Sequence, residues 1–264
     1  MSQLPSQFSQ SALQDYVDCA RRFELKYIQK MRWPAAESEP IELQEAHMRR
    51  GALFHQMIHL HHLGVPPEQI ATTEMDDDLR LWWQAYLESD VLRNLPQNRY
   101  PEYTLSVPLA GRRLIAKYDL LAYDQSRGVI VDWKTSLRRT KQAVLEQRLQ
   151  TVVYRYVAVA AGVISADQLT MIYWFATHPE DIAILPYSQA QYEQDGHYLI
   201  ALLQEIEKRE VFDLTVHVKR CFYCVFRSLC ERGVSAGDFE GIDEIDIDDD
   251  AFDLDFDQVA EVVF

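Results

Sequence analysis

The fold is decided by one short stretch of the 264-residue chain, Gly128-Val-Ile-Val-Asp132-Trp-Lys134. Its apolar, β-branched start has the length and composition of a buried strand. Side chains two positions apart on a strand point to the same face, so Asp132 and Lys134 project together. A hairpin partner would bring Asp119 alongside them. The sequence therefore predicts that two carboxylates and one ammonium group converge at the edge of a sheet.

The segments around this stretch predict a sheet with helices on its faces. Two alternating segments, 102–109 and 112–123, are joined by an Ala110-Gly111 turn and form a β-meander with the strand at 128–134. Further strands are predicted at 169–176 and 182–185, and helices at 41–62, 78–92, 140–161 and 189–209. A short N-terminal helix opens with a capping box at Ser11. The predicted fold class is α/β (α+β), a mixed central β-sheet flanked by helices.

The composition is that of a globular protein, because 48% of the residues are apolar and the chain is long enough to bury a core. No apolar run approaches the roughly 20 residues of a membrane helix. The first ten residues are polar and lack the apolar centre of a signal peptide. The sequence therefore predicts a cytoplasmic protein without a membrane partner.

Negative charge is concentrated at the C-terminus. Residues 238–264 contain twelve Asp or Glu and no Lys or Arg, so the first 237 residues carry only −3 of the net charge of −15. We therefore predict a globular domain over residues 1–237 and an acidic tail over 238–264. The tail alternates acids with Ile, Phe and Leu. Two interpretations remain open: a solubilising tail, and a segment that mimics nucleic acid or docks on a partner.

Clusters of basic residues, rather than net charge, indicate where a nucleic acid would bind. Each cluster could equally be part of a solvated surface, since Lys and Arg are ordinary surface residues. The candidates are Arg49 with Arg50, Arg112 with Arg113, Arg138 and Arg139 with Lys141, and Lys219 with Arg220.

The acidic pair and the lysine have the chemistry of phosphodiester hydrolysis. Carboxylate oxygens hold Mg²⁺ or Mn²⁺, and such an ion polarises a phosphate and lowers the pKa of a bound water. Lys134 would orient that water and offset negative charge in the transition state. His55, in the helix at 41–62, could complete the metal shell and make Mn²⁺ acceptable beside Mg²⁺. The alternative is that Asp132 and Lys134 form a structural ion pair.

A zinc-protease interpretation arises because His59 lies four residues after His55 on the same helical face. That motif requires a glutamate directly after the first histidine, and Gln56 stands there instead. His59, His61 and His62 are therefore predicted to be surface or packing residues.

Four motifs occur in a fixed order along the chain. They are Gly51-Ala-Leu-Phe-His55, Asp119, Val131-Asp132-Trp-Lys134-Thr135 and Gln150-Thr-Val-Val-Tyr154. This order resembles the PD-(D/E)XK nuclease superfamily, specifically its RecB-like branch, which includes the AddB nuclease and the CRISPR-associated adaptation exonucleases. The third motif has Trp where the branch has Tyr.

The resemblance implies a restriction-endonuclease-like core and a set of site residues. The implied catalytic residues are Asp119, Asp132, Lys134, Gln150 and Tyr154, and the implied metal ligands are His55, Asp119 and Asp132. Glu102 occupies a place where the family frequently has a glutamate. It is therefore a possible accessory residue that helps to bind a second metal ion or the substrate.

The chain has four cysteines, Cys19 and the group Cys221-Phe-Tyr-Cys224 with Cys230. A reducing cytosol disfavours disulfides, and four thiolates suit either a [4Fe–4S] cluster or a structural Zn²⁺. The spacing alone leaves both open, together with free structural cysteines. The resemblance to iron–sulfur nucleases of the same branch implies a [4Fe–4S] cluster that joins the N- and C-terminal segments.

The predicted function is therefore a Mg²⁺- or Mn²⁺-dependent deoxyribonuclease, an exonuclease acting on DNA ends or single strands. Repair, recombination and CRISPR adaptation are the processes that the resemblance implies. One alternative is a catalytically silent DNA-binding or scaffolding subunit of a nuclease complex, and another is a zinc-stabilised interaction module. The sequence contains no helicase motif, so unwinding would require a helicase partner.

Overall fold

The computed structural model describes residues 4–31, 39–71, 75–136 and 140–233, with only the backbone described for 39–46 and 223. The acidic tail and the basic pair Arg138 and Arg139 lie outside these residues. A six-stranded mixed sheet runs through the centre of the described chain. Its strands are β1 (Gln7–Ser9), β2 (Asn98–Leu109), β3 (Arg112–Tyr123), β4 (Gly128–Lys134), β5 (Leu169–Phe175) and β6 (Ala183–Pro186).

The predicted β-meander is confirmed, because β2, β3 and β4 pair antiparallel in chain order. Ala110 and Gly111 both have positive φ, 47° and 76°, as the tight hairpin turn between β2 and β3 requires. Strand β5 then pairs parallel to β4, and β6 pairs antiparallel to β5. The connection from β4 to β5 contains two of the helices that cover one face of the sheet.

The longer helices cover both faces of the sheet. The helices are α1 (Gln10–Asp18), α2 (Ala20–Phe23), α3 (Glu39–His62), α4 (Pro67–Ile70), α5 (Asp77–Glu88), α6 (Asp90–Arg93), α7 (Gln142–Gln147), α8 (Leu149–Ala160) and α9 (Gln189–Lys208). A π-helical turn, Glu24–Ile28, continues α2. Short 3₁₀ helices occupy Ala166–Gln168, Val218–Tyr223 and Arg227–Cys230.

Two apolar cores form because β4 is buried on both faces. Ile130 packs into a first core with α1, α8 and α9, whereas Val129, Val131 and Trp133 pack into a second core with α3 and α5. A strand between two helical layers must be apolar on both sides, which explains its continuous apolar start. The mixed sheet flanked by helices, predicted from the sequence, is confirmed.

Several local predictions need correction. The first helix begins at Gln10 and its N-cap is Ser9, whose hydroxyl accepts from the amide of Ala12, so the capping box at Ser11 was wrong. The predicted helix at 140–161 is two helices, because Arg148 adopts an extended backbone (ψ 140°) between α7 and α8. Glu102 lies inside β2, which begins at Asn98, rather than at the start of the strand.

Strand β1 lies parallel to the start of β3. It was not predicted, because three residues are too few for a periodic signal.

Within the described ranges, none of the helices has the length and apolar character needed to span a membrane.

Candidate active site

Helix α3 presents His55 at the edge of the sheet. The neighbouring side chains of Phe54 and Ile58 are buried in the second core, which fixes the rotation of the helix. Gly51, one turn before His55, lies against the end of β4: a Cβ atom at Gly51 would be 2.8 Å from Thr135 Oγ1. The glycine therefore permits the close approach of α3 that places His55 beside β3.

Three potential metal ligands meet at this point. One ligand atom each of His55, Glu102 and Asp119 lie within 4.8 Å of one another. His55 Nδ1 is 3.6 Å from Asp119 Oδ1, and the other carboxylate oxygen of Asp119 accepts from the amide of Trp133 at 2.9 Å. The side chain of His55 is 31% exposed and that of Asp119 is 20% exposed, so the group is open to solvent.

The backbone of Glu102 is unusual for a residue inside a strand. The β2–β3 register, with Pro101 opposite Leu120 and Tyr103 opposite Tyr118, sets Glu102 across from Asp119. Glu102 has φ 51°, in the left-handed region that costs a residue with a Cβ atom about 1 kcal/mol. Its carboxylate also contacts Lys117 Nζ at 2.6 Å. A strained backbone thus holds the glutamate within the ligand group.

The electrostatics of the group are those of a site for a cation. Burial lowers the pKa of His55, but the charges of Asp119, Asp132 and Glu102 outweigh it and raise the pKa to about 9. Burial raises the pKa of Asp119, yet His55, the Trp133 amide and Lys134 together hold it below its usual value. Negative charge therefore dominates, and His55 carries a proton at neutral pH that a bound cation would replace.

Asp132 and Lys134 form a buried pair next to this group. Both project from β4, both are 3% exposed, and Lys134 Nζ lies 3.1 Å from Asp132 Oδ2. Gln150, at the start of α8, donates to Asp132 Oδ1 at 2.9 Å. The prediction that Asp132 and Lys134 share one face of the strand agrees with this geometry.

A second layer of polar groups orients Gln150. The hydroxyl of Tyr173 donates to Gln150 Oε1 at 3.2 Å and is 2.7 Å from Thr151 Oγ1. Lys134 Nζ lies 5.8 Å from the centre of the Tyr173 ring. Sequence reasoning missed Tyr173 and Thr151, since a tyrosine in a buried strand and a threonine in a helix look like ordinary core residues.

Tyr154 lies one turn after Gln150 on α8, inside the first core. Its ring is 5.0 Å from that of Tyr118, and the Tyr118 hydroxyl donates to the backbone oxygen of Tyr154 at 3.0 Å. These contacts fasten α8 to β3 directly beside Asp119. Tyr154 is therefore placed to position α8 beside the site.

The three residues that meet in the structure are not the three that were predicted as metal ligands. The predicted metal shell contained His55, Asp119 and Asp132, whereas the described residues that meet within 4.8 Å are His55, Asp119 and Glu102. Asp132 is close enough to raise the pKa of His55 and is paired with Lys134. Glu102, which the resemblance implied as an accessory residue, belongs to this group through its register opposite Asp119.

The donor set fits a divalent cation. One imidazole nitrogen and two carboxylate oxygens suit Mn²⁺ or Mg²⁺. The raised pKa of His55 indicates that this space favours positive charge. The arrangement can hold a metal ion at a solvent-exposed edge, with a buried ammonium group behind it.

The four cysteines come from opposite ends of the described sequence. In the fold, Cys19 and Cys230 are close enough to Cys224 to affect its charge. Cys19 is the C-cap of α1, and the other three lie in or beside the last two 3₁₀ helices. Burial, together with the neighbouring thiols Cys19 and Cys230, raises the pKa of Cys224 to about 11, although Arg22 and the Phe226 amide oppose the shift. Among the described residues, the cysteines are not part of a group of three or more ligand atoms that lie within 4.8 Å of one another.

Polar contacts hold the two ends of the chain together at the cysteines. The amide of Arg21 donates to the backbone oxygen of Asp213 at 3.1 Å. Arg220 contacts Asp18, and Arg22 Nη2 lies 3.0 Å from the same carboxylate. The N-terminal helix and the cysteine-rich segment are therefore in contact within the described chain.

Most of the predicted basic pairs have one member in an ion pair. Arg50 contacts Asp76 and Asp78 at 2.7 and 2.8 Å, and Arg112 contacts Glu207 at 3.3 Å. Arg49, Arg113, Lys141 and Lys219 are exposed.

Comparison with known proteins agrees with this geometry. The family model of the PD-(D/E)XK nuclease superfamily matches residues 7–231. A solved structure of a candidate exonuclease from Eubacterium rectale is similar, with a TM-score of 0.54 at 14% identity over 92% of this chain and 94% of that one. The crystal structure of SSO0001 gives a TM-score of 0.42 at 13% identity, over 89% and 91% of the two chains. The curated proteins give no match.

The match to the nuclease family model extends over most of the chain. This protein belongs to the PD-(D/E)XK nuclease superfamily. Its mixed sheet between helices has the restriction-endonuclease-like fold.

Proposed function

We propose that the protein is a Mg²⁺- or Mn²⁺-dependent deoxyribonuclease of the RecB-like branch, acting as an exonuclease on DNA ends or single strands. The observation that carries the proposal is the ligand group of His55, Glu102 and Asp119 beside the buried pair of Asp132 and Lys134. A divalent ion bound there would polarise the scissile phosphate and supply an activated water. DNA is the substrate that the nuclease family implies.

Each side chain has a separate role in this proposal. His55, Asp119 and Glu102 hold the ion, with Asp132 as the further ligand that the sequence motif implies. Lys134 stabilises negative charge on the phosphate, because an ammonium group in a water-poor site acts strongly on a developing anion. Gln150 fixes Asp132 through its hydrogen bond, and Tyr154 fixes α8 against β3.

The cysteines form the second part of the proposal. We assign Cys19, Cys221, Cys224 and Cys230 to a [4Fe–4S] cluster, with Zn²⁺ as the alternative that the same ligands accept. The contacts that join the N-terminal helix to the cysteine-rich segment support a shared centre. Its role is structural, since it would tie the two ends of the domain at residues 1–237. A cytoplasmic location would keep these thiols reduced.

The test is digestion of end-labelled single- and double-stranded DNA by anaerobically purified protein with Mn²⁺ or Mg²⁺. Release of mononucleotides or short oligonucleotides from one labelled end, with circular single strands left intact, is expected. Lys134→Ala should abolish cleavage while the far-ultraviolet circular dichroism is kept. Lys208→Ala removes an exposed lysine at the end of α9, outside the ligand group and the basic clusters, and should cleave normally.

A second candidate is a catalytically silent DNA-binding or scaffolding subunit, as expected in complexes that include a helicase. It predicts DNA binding without metal-dependent cleavage by the wild-type protein. The open ligand group favours the enzyme, because a silent subunit does not need to keep a strained Glu102 beside Asp119 and His55. Repair, recombination and CRISPR adaptation remain the processes in which such an exonuclease would act.

A further inference from the structure

A cluster of exposed apolar side chains follows α9 and is not used by the active site. Its members, which we call the apolar surface, are between 42% and 84% exposed. They are Val211, Leu214, Val216, Val218, Phe222 and Leu229. Single exposed apolar residues are ordinary, but six within nineteen consecutive positions are a high local density of exposed apolar side chains.

The apolar surface belongs to a segment that is anchored in the fold. Phe226 is buried, and Phe212 packs against the first core beside Tyr16 and Phe23. The side chain of Arg232 donates to the backbone oxygen of Thr215 at 3.5 Å, which connects the two ends of the segment. The exposure of the six side chains is therefore a property of the folded segment.

The chain supplies a complementary segment nearby. In residues 252–257 the sequence Phe252-Asp-Leu-Asp-Phe256-Asp alternates strictly. An extended chain with this pattern has Phe252, Leu254 and Phe256 on one face and carboxylates on the other. Its apolar face matches the apolar surface.

Charge and distance favour docking in cis. Residues 211–233 contain four Lys or Arg and two Asp or Glu, whereas residues 238–264 contain twelve acids and no base. The described residues end at Gly233, inside the same segment, and the nineteen residues to Phe252 can span up to roughly 60 Å. A linker within the same chain also gives the tail a high effective concentration at this surface. A second copy of this strongly acidic chain would be repelled instead.

We propose that residues 252–257 dock in cis on the apolar surface, with the side chains of Phe252, Leu254 and Phe256 against it. The acidic tail is then a cover for the cysteine-rich segment. This inference does not depend on nuclease activity.

The experiment is hydrogen–deuterium exchange of the full-length protein, followed on peptides that cover residues 211–229. The variant Phe252→Ser/Leu254→Ser/Phe256→Ser removes the apolar face of the tail and should make these amides exchange about tenfold faster. The matched control Asp253→Asn/Asp255→Asn/Asp257→Asn keeps that face and should retain most of the protection. Exchange elsewhere in the sheet should stay unchanged in both variants.

Three outcomes would overturn the proposal. The first is that the three serines leave exchange at residues 211–229 unaltered. The second is that the three asparagines remove protection as fully as the serines do, since docking would then not be apolar. The third is protection that depends on protein concentration, with a doubled mass in light scattering, which would assign the surface to a second copy.

Discussion

At the scale of single residues, Gly51 is the position at which one methyl group would disturb the site. A Cβ atom there would approach Thr135 Oγ1 to 2.8 Å, while the other Thr135 side-chain atoms would remain at 3.7 Å or more. Gly51→Ala should therefore displace α3 and weaken Mn²⁺ binding by moving His55. Its thermal stability should change little, because alanine favours the helix by about 1 kcal/mol and offsets the crowding.

The structure offers a compensating variant for this prediction. Thr135→Ala removes the crowded oxygen, so the double variant Gly51→Ala/Thr135→Ala should bind Mn²⁺ like Thr135→Ala alone. Titration calorimetry on the four proteins measures the coupling. Additive losses in the double variant would show that the glycine acts in another way.

Glu102 permits a separate test of backbone strain and charge. Its φ of 51° is left-handed, which glycine adopts freely and alanine does not. Glu102→Gly should therefore be more stable than Glu102→Ala by about 1 kcal/mol in urea unfolding. Both variants lack the carboxylate and should bind Mn²⁺ equally weakly. Equal stability of the two variants would argue against strain at this position.

At the scale of elements, the contact of α3 with α5 makes stability depend on pH. His61 Nδ1 and His62 Nε2 lie 2.9 and 3.3 Å from the hydroxyl of Tyr86. Burial, with Arg99 and the neighbouring histidines, lowers the pKa of His62 to about 4. The unfolded chain then takes up a proton near pH 6.5 that the folded chain takes up only near pH 4. The free energy of unfolding should fall as the pH drops from 6.5 towards 4.

The His62→Gln variant tests the origin of this slope. Glutamine keeps a polar group beside Tyr86 but does not titrate, so the decline between pH 6.5 and 5 should be shallower than in the wild-type protein. His197→Gln removes an exposed histidine on α9 and serves as the control. Denaturant unfolding at a series of pH values measures both, and equal slopes in the wild type and His62→Gln would contradict the assignment.

The elements also show what periodicity can and cannot predict. The strands β3, β4 and β5 and the long helices α3, α5 and α9 were predicted because their patterns extend over several turns or alternations. Arg148 divides the helix predicted at 140–161 through its backbone angles, which leave no mark in the apolar spacing. Strand β1 depends on pairing with β3, a contact about a hundred residues away.

At the scale of the whole molecule, sequence order predicted which residues would meet but not their grouping. Asp132 and Lys134 share a face because they are two apart on one strand, and that was predictable. Glu102 was predicted as an accessory residue from the resemblance alone. Its position beside Asp119 depends on its left-handed backbone within β2, and the contacts of Tyr173 depend on the parallel pairing of β4 with β5. Both features arise from tertiary contacts, which a local sequence pattern does not predict.

The proposed cluster would act on the whole molecule, because Cys19 and Cys221 enclose about two hundred residues. By loop-closure entropy such a link contributes on the order of 5 kcal/mol to stability. Cys19→Ser should therefore lose bound iron and labile sulfide and unfold at a lower temperature. Val17→Ser changes an exposed residue on the same helix and should keep both the metal and the unfolding temperature.

The metal content decides between the two centres that four thiolates accept. A brown protein with iron and acid-labile sulfide in equal amounts, lost in Cys19→Ser, supports [4Fe–4S], whereas a colourless protein with one zinc supports the alternative. Arg220 and Arg22 connect the cysteine-rich segment to Asp18 independently of any metal. The Cys19→Ser variant should therefore remain folded at low temperature, so its loss of metal can be measured on a native protein. A wild-type chain that binds neither metal when purified anaerobically would contradict the assignment.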